Sequence, residues 1–371
     1  MNMFAGNSPV VAAEADWSDA PLLTEEKLTG TFWRLGSLEN GTLSPFIVLA
    51  PEGRVGNFSD ASVEYWHVLN GRLCLVGSNG LPTAIFNVAR NDGNKLTDLA
   101  GRGNVGGINA IYVLTATDHP EQPAAHENAG VERKATFLLK ADKPQRPNLV
   151  VVPANAKTLH GHWLEGLADD KRNWDLCVGF YGEERPFLPA PAEYLAHLPK
   201  TPKFKLLHDL FYEDSPLWGY DRIWLPDDDL LVSGQDINLM FHLSRKHGLD
   251  LCQPALVNGP GSYPTHPVTF QRPEGGVRHE RFIEIMCPLF SKRALQICIG
   301  SFKDTKSGYG LDHLWPSFLG RPYSRMAMLD DIGVKHTRPI ATNYNLGSAL
   351  DEQKTMFGTY NFTMERIAGV K

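Results

Sequence analysis

Two kinds of periodicity, separated by a proline-containing stretch, predict a small all-β domain, barrel or sandwich, followed by an α/β domain with a mixed sheet and flanking helices. The first part of the chain holds short apolar runs punctuated by Asn-Gly pairs. The second alternates continuous apolar, β-branched runs with an amphipathic helical pattern. The 371 residues suffice for two such cores, at roughly one domain per 100 to 200 residues.

Taken in order, residues 1–23 show no periodicity and read as a tail. The all-β domain is expected over residues 24–142, from runs such as Thr31–Leu35, Pro45–Leu49, Glu64–Leu69, Arg72–Val76, Ala84–Val88, Ile111–Leu114 and Ala135–Leu139. Asn70-Gly71 and Asn79-Gly80 supply the positive backbone angles of tight hairpins. Pro144 and Pro147 remove backbone donors and fix an extended conformation, so residues 143–148 read as a linker. The α/β domain then occupies residues 149–371. Leu149–Val152 has the unbroken apolar character of a buried parallel strand, Trp174–Tyr181, apolar but for Asp175, is a second, and Tyr220–Leu225 makes a third. From Gly234 to His247 the apolar residues Ile237, Met240, Phe241 and Leu243 follow a helical period that stops at Gly248.

Composition excludes several functions. A net charge of −6 without a basic stripe argues against nucleic acid as a partner. Five scattered cysteines without CxxC spacing read as buried thiols in a reducing compartment, not as disulfides or a zinc site. No apolar run approaches the ~20 residues that cross a bilayer, so a cytoplasmic protein is expected, with peripheral contact at the inner face of the membrane left open.

The chemistry centres on Asp227-Asp228-Asp229, directly after the third strand. On an extended backbone the first and third carboxylates share a side and can reach one cation. Oxygen donors suit Mn²⁺ or Mg²⁺, which bridge diphosphate oxygens. An acidic turn that caps the next helix is the plain alternative. Position favours the first reading, because ligands of open α/β sheets bind outside the carboxyl ends of strands.

Seven ordered blocks carry a family resemblance: Asn148–Val152, Leu159–Trp163, Trp174–Gly182, Tyr220–Leu230, Cys252–Leu256, Arg281–Phe290 and Gly308–Asp312. Over residues 148 to 340 they resemble a family of bacterial and plant proteins catalogued as a domain of unknown function. That family is similar to A-type, nucleotide-diphospho-sugar glycosyltransferases, with a Rossmann-like mixed sheet. The Trp33 and Trp66-His67 blocks are similar to small barrel modules appended to bacterial glycosyltransferases.

The resemblance implies a metal-dependent transfer of a sugar from a nucleotide-sugar donor to a hydroxyl of a glycan or lipid-linked acceptor. It assigns Asp227 and Asp229 to the metal, with Asp228 beside the donor, and His336 as a late ligand, although a lone histidine is more often structural. It makes Asp312 the general base toward the acceptor; a helix N-cap is the alternative. Tyr181 would stack on the donor base and Gly182 allow its close approach, unless the ring merely packs at the sheet edge. Lys205 would pair with a phosphate or lie in solvent. Glu284 interrupts the apolar Ile283-Glu284-Ile285, where a carboxylate is costly unless functional or paired with Arg278 or Arg281.

Two rivals stand beside this reading. His160-Gly161-His162 has the spacing of an HxH metal site, which on an extended strand would point to a metal-dependent hydrolase. The other is a non-catalytic carbohydrate-binding or assembly protein.

Overall fold

The structure is a computed structural model that describes residues 17–121, 133–186, 190–339 and 345–364, together with 367 and 370. The first sixteen residues of the expected tail lie outside the described residues. The chain divides into two compact units: residues 1–120 with 317–321 and 358–362, and residues 121–316 with 322–357 and 363–371.

In the first unit a nine-stranded antiparallel sheet curls almost into a barrel. Its main path runs Val55–Gly56, Gly41–Leu49, Phe32–Ser37, Ile108–Ala116, Lys95–Val105, Pro82–Asp92, Arg72–Val76 and Tyr65–Leu69. Arg54 bridges to Tyr65, and the Val55 N–H donates to the Glu64 carbonyl (3.0 Å), so the two ends of the path meet. Alternation turns Trp33, Leu35, Ile47, Trp66 and Phe86 into one core. Asn70 and Gly71 both take positive φ (51° and 74°), the geometry a two-residue hairpin needs. Lys95–Val105 carries no run of the kind recognised in the sequence, yet it forms an eleven-residue strand. A Cβ on its Gly101 would lie 1.8 Å from the Ile85 carbonyl oxygen, so glycine there marks close strand approach, not a turn.

The second unit is built on a mixed sheet. We number its principal strands β1 (Asn148–Ala154), β2 (Trp174–Phe180), β3 (Tyr194–His197), β4 (Arg222–Trp224), β5 (Leu251–Leu256), β6 (Leu289–Ser291) and β7 (Met326–His336). Their spatial order is β3-β2-β1-β4-β6-β5-β7, parallel except for β6. Both β1 and β2 are buried along their whole length, which accounts for their apolar sequence, Asn148 and Asp175 apart. The helices used below are α1 (Lys203–Leu210), α2 (Gly234–Lys246), α3 (Leu311–Phe318) and α4 (Leu346–Thr359). The Ser233 hydroxyl caps α2 through the Asp236 N–H, and Gly248 (φ 60°) follows its end. Ile237, Met240 and Phe241 of α2 pack with Val150, Val152 and Trp224 in one core.

Two segments join this unit against the sequence expectation. Phe137–Lys140, expected in the all-β domain, pairs antiparallel with β3. Alternation specifies a strand but not the sheet it enters. The expected linker is likewise packed: Arg146 donates to Asp175 (2.8 Å) and Glu193 (3.1 Å) and pairs with Asp169 (2.8 Å), while the Gln145 N–H donates to Asp175 (2.8 Å). All five cysteines are buried free thiols. No helix among the described residues is long and apolar enough to cross a membrane.

Candidate functional site

Strands β1, β2 and β3 succeed one another to one side, and β4 lies on the other side of β1. Chain order therefore reverses between β1 and β4, the kind of switch point where open α/β sheets leave a crevice at their carboxyl ends. A cavity of about 750 Å³ lies there, lined by Pro153 of β1, Tyr181 after β2, Lys203 of α1 and Asp227–Asp229 after β4. Glu284, Asp312, His336 and Arg338 also line it. The structure thus gathers seven of the nine sequence-assigned residues in one cavity.

Backbone bonds set the acidic run in place. The Asp227 N–H donates to the Met286 carbonyl (2.9 Å), extending the β4–β6 pairing by a few residues. Past it the chain turns, and Leu230 and Leu231 pair with His336 and Lys335 of β7. Thr337 completes that ladder by donating its N–H (3.1 Å) and hydroxyl (2.8 Å) to the Asp229 carbonyl.

The aspartates lie in a turn rather than alternating along a strand, and each meets its own basic side chain. Lys203 Nζ donates to Asp227 (2.5 Å) and to the Ile285 carbonyl (2.8 Å). Arg338 donates to Asp228 (2.9 Å). His336 Nε2 lies 3.4 Å from Asp229 and its Nδ1 2.9 Å from the Tyr263 carbonyl. Among the described residues no three His, Cys, Asp or Glu side chains are already gathered so as to hold a metal ion.

The acids outnumber what these cations neutralise well. Burial raises Asp227, against the pull of Lys203. Burial pushes Asp228 up to about 6, Arg338 opposing and the neighbouring aspartates adding. Glu284 is pushed up to about 8 by burial, with Asp312 contributing next. Burial pushes Asp312 up to about 7, although the N–H groups of its own turn pull it down. His336 is lowered by burial but raised on balance, because its bond to Asp229 prevails. Two buried oxygens, Asp229 Oδ1 and Glu284 Oε2, accept no hydrogen bond from the described residues. Buried acceptors are ordinarily satisfied, so this pair fits a ligand that brings positive charge or donors. Among the described residues Glu284 does not pair with Arg278, which is held by Asp330 and Glu280; His266 Nε2 is 3.9 Å away.

No protein-family model matches the chain, and no curated protein matches it in sequence. Among solved structures it is similar to the crystal structure of S. aureus TarS 1-349, with a TM-score of 0.37 and 9% identity over 59% of this chain and 66% of that one. It thus covers just under two thirds of that chain. It is also similar to the crystal structure of a mycobacterial protein, with a TM-score of 0.36 and 15% identity over 59% of this chain and 76% of that one.

Two assigned residues lie apart from the cavity lining. Lys205 is fully buried and paired with Asp209 one turn along α1. Its neighbour Lys203 is the lysine that reaches the carboxylates. A signal for it was present: a lysine in the first turn of a helix opposes the helix dipole unless an acid compensates. Gly182 accepts a hydrogen bond from His197 (2.8 Å), and a Cβ there would lie 2.6 Å from Glu184 Oε1. Tyr181 does line the cavity; Asn155 donates to its hydroxyl, which lies 3.5 Å from Asp228. Arg338 gave no sequence signal, since its role depends on the β7 ladder.

The histidine pair of the hydrolase reading is not a site. His160–Leu164 is a 3₁₀ turn, not a strand, so the rings diverge. His160 is buried with its Nδ1 on Thr158 (2.7 Å), whereas His162 is exposed and paired with Glu165 (2.8 Å).

Proposed function

We propose that the second unit is a glycosyltransferase of the A-type kind, moving a sugar from a nucleotide-sugar donor to a hydroxyl of a glycan or lipid-linked acceptor. The observation that carries this reading is the grouping of Asp227–Asp229, Glu284 and Asp312 around one cavity at the switch point of the sheet. Such crevices receive nucleotide phosphates in doubly wound sheets.

Asp227, Asp229 and His336 would hold Mn²⁺ or Mg²⁺ once drawn together, since they are not so gathered among the described residues, and the unsatisfied Asp229 Oδ1 would give the ion a buried oxygen. When bound, the ion supplies neutralisation of the charge that develops on the nucleoside-diphosphate leaving group. The protein's own residues do the rest. Tyr181 offers a ring to the donor base. In an inverting course Asp312 accepts the proton of the acceptor hydroxyl as its oxygen bonds to the anomeric carbon and the bond from that carbon to the diphosphate breaks. Glu284 accepts from sugar hydroxyls through the oxygen the protein leaves unpaired.

One observation favours a second reading. Each aspartate already has a basic partner, so the cavity is also compatible with a carbohydrate-binding protein that performs no transfer. Thermal unfolding with UDP-, GDP-, CMP- and TDP-sugars separates the two. The transferase is stabilised by one donor only with Mn²⁺ or Mg²⁺ and consumes it when acceptor is supplied. Stabilisation by an oligosaccharide alone, with every donor ignored, would refute transfer.

A further inference from the structure

The cavity is lined by charged side chains and by a set of aliphatic ones. Around Tyr181 and Asp227–Asp229 it is polar and charged. Elsewhere its lining includes the aliphatic Leu350 of α4 and the C-terminal Met364, Ile367 and Val370, beside Lys306, Ser307, Tyr309 and Gln353. Leu350 and Met364 remain 43% and 53% exposed.

Leu350, the first residue of this apolar wall in chain order, is tied to the Asp312 side. Glu352, two residues along α4 from Leu350, accepts hydrogen bonds from Thr305, from the Lys306 N–H (3.1 Å) and from both the N–H (3.2 Å) and the hydroxyl (3.1 Å) of Ser307. Gly310, two residues before Asp312, packs so closely on α4 that a Cβ would lie 2.9 Å from Phe357 and 3.1 Å from Gln353. The His313 and Phe357 rings stand 6.1 Å apart. Helix α4 and its leucine are therefore fastened to the segment that presents Asp312.

We propose that the acceptor is an amphiphile whose hydroxyl meets Asp312 and whose hydrocarbon portion lies along Leu350, Met364, Ile367 and Val370. This rests on the transfer reading and selects the lipid-linked alternative within it. Aliphatic side chains offer a glycan no hydrogen bond, and a sugar hydroxyl pressed on them loses water without replacement. A hydrocarbon chain in the same place removes apolar surface from water on both partners. The reaction itself is unchanged: the acceptor O–H gives its proton to Asp312, and the nucleoside diphosphate leaves.

Calorimetric titration of the full chain with butyl, hexyl and octyl β-glucosides, each below its micelle concentration, tests the wall. A parallel thermal-shift titration uses UDP, GDP, CMP and TDP with Mn²⁺. Each methylene should tighten alkyl glucoside binding by about fourfold, the value for complete burial, or somewhat less. The double variant Leu350→Asn/Ile367→Asn should abolish that dependence. Its nucleotide response should match the wild type, which also reports that it is folded. Equal affinity across the series, or the same dependence in the variant, overturns the inference. If a nucleotide stabilises the protein while the series is flat, only the acceptor assignment falls. If no nucleotide binds but chain length matters, the transfer reading falls and the amphiphile site stands.

Discussion

Replacing Asp312 by Asn should trade activity for stability, with a sign that depends on pH. Burial lifts this carboxyl from its ordinary 3.8 to about 7, so between those values the folded protein binds a proton that the unfolded chain does not. Stability is then highest below the lower value, falls as pH rises through the window and levels off above the upper one. A difference of about 3 units corresponds to roughly 4 kcal/mol, an upper figure because local N–H groups stabilise the ionised form. The Asn side chain never ionises. At pH 8 the variant should therefore melt higher than the wild type, on the order of 10 °C at most, and the gain should shrink toward zero near pH 4. Catalysis runs the other way. Loss of a general base costs about 10²- to 10⁴-fold in rate. Wild-type transfer should rise about tenfold per pH unit up to about 7 and then level off, because the base must be ionised. Melting curves and initial rates from pH 5 to 8.5 measure both. A variant that melts lower than the wild type at pH 8, or a rate that still climbs through pH 7 without Asp312, would refute the reasoning.

Asp229→Asn should leave the melting temperature within a few degrees but remove the metal-dependent nucleotide shift; full retention of that shift takes Asp229 out of the ion's coordination. Arg146→Met leaves the fully buried Asp175 without its cation and should cost about 3–5 kcal/mol, read as a lowered urea midpoint at unchanged slope. A loss of stability under about 1 kcal/mol, the midpoint shift multiplied by the slope, would show that Tyr220 and the Gln145 N–H satisfy Asp175 unaided. Burial pushes His160 down to about 4 from 6.5, so the unfolded chain takes up a proton that the folded protein refuses. Stability should fall by roughly 3 kcal/mol as pH drops from 6.5 to 4, and His160→Gln should flatten that slope. Glu352→Ala removes the acceptor of four groups in the 305–307 turn and should lower kcat more than it raises the donor KM; a change confined to donor KM would place its effect elsewhere.

What the sequence disclosed was local. Strands β1 and β2 announced themselves because full burial leaves each with a single polar residue, Asn148 and Asp175, among seven positions. Asn70-Gly71 fixed a hairpin because few other pairs tolerate two positive φ angles. The acidic run pointed to the cavity because ligands of such sheets gather at strand ends. What stayed hidden depends on which distant segments meet. Phe137–Lys140 has the same alternation whichever sheet receives it. Lys203 and Lys205 differ by two positions on a helix, and only tertiary packing decides that one is buried against Asp209 while the other reaches Asp227. Arg338 reaches Asp228 from 110 residues away in sequence. The glycines of Lys95–Val105 look like turn residues until the curl of the sheet shows that a neighbouring carbonyl leaves no room for a side chain.

The curl has a further consequence for the chain in a crowded solution. An open antiparallel sheet ends in two rows of unpaired amides and carbonyls, which recruit strands from other molecules. Here the first and last strands of the path face each other through Arg54 and Tyr65. Some of the amide groups that would otherwise template intermolecular pairing are thereby spent within the molecule. A substitution that pries this seam apart should therefore show itself first as self-association, before any loss of secondary structure.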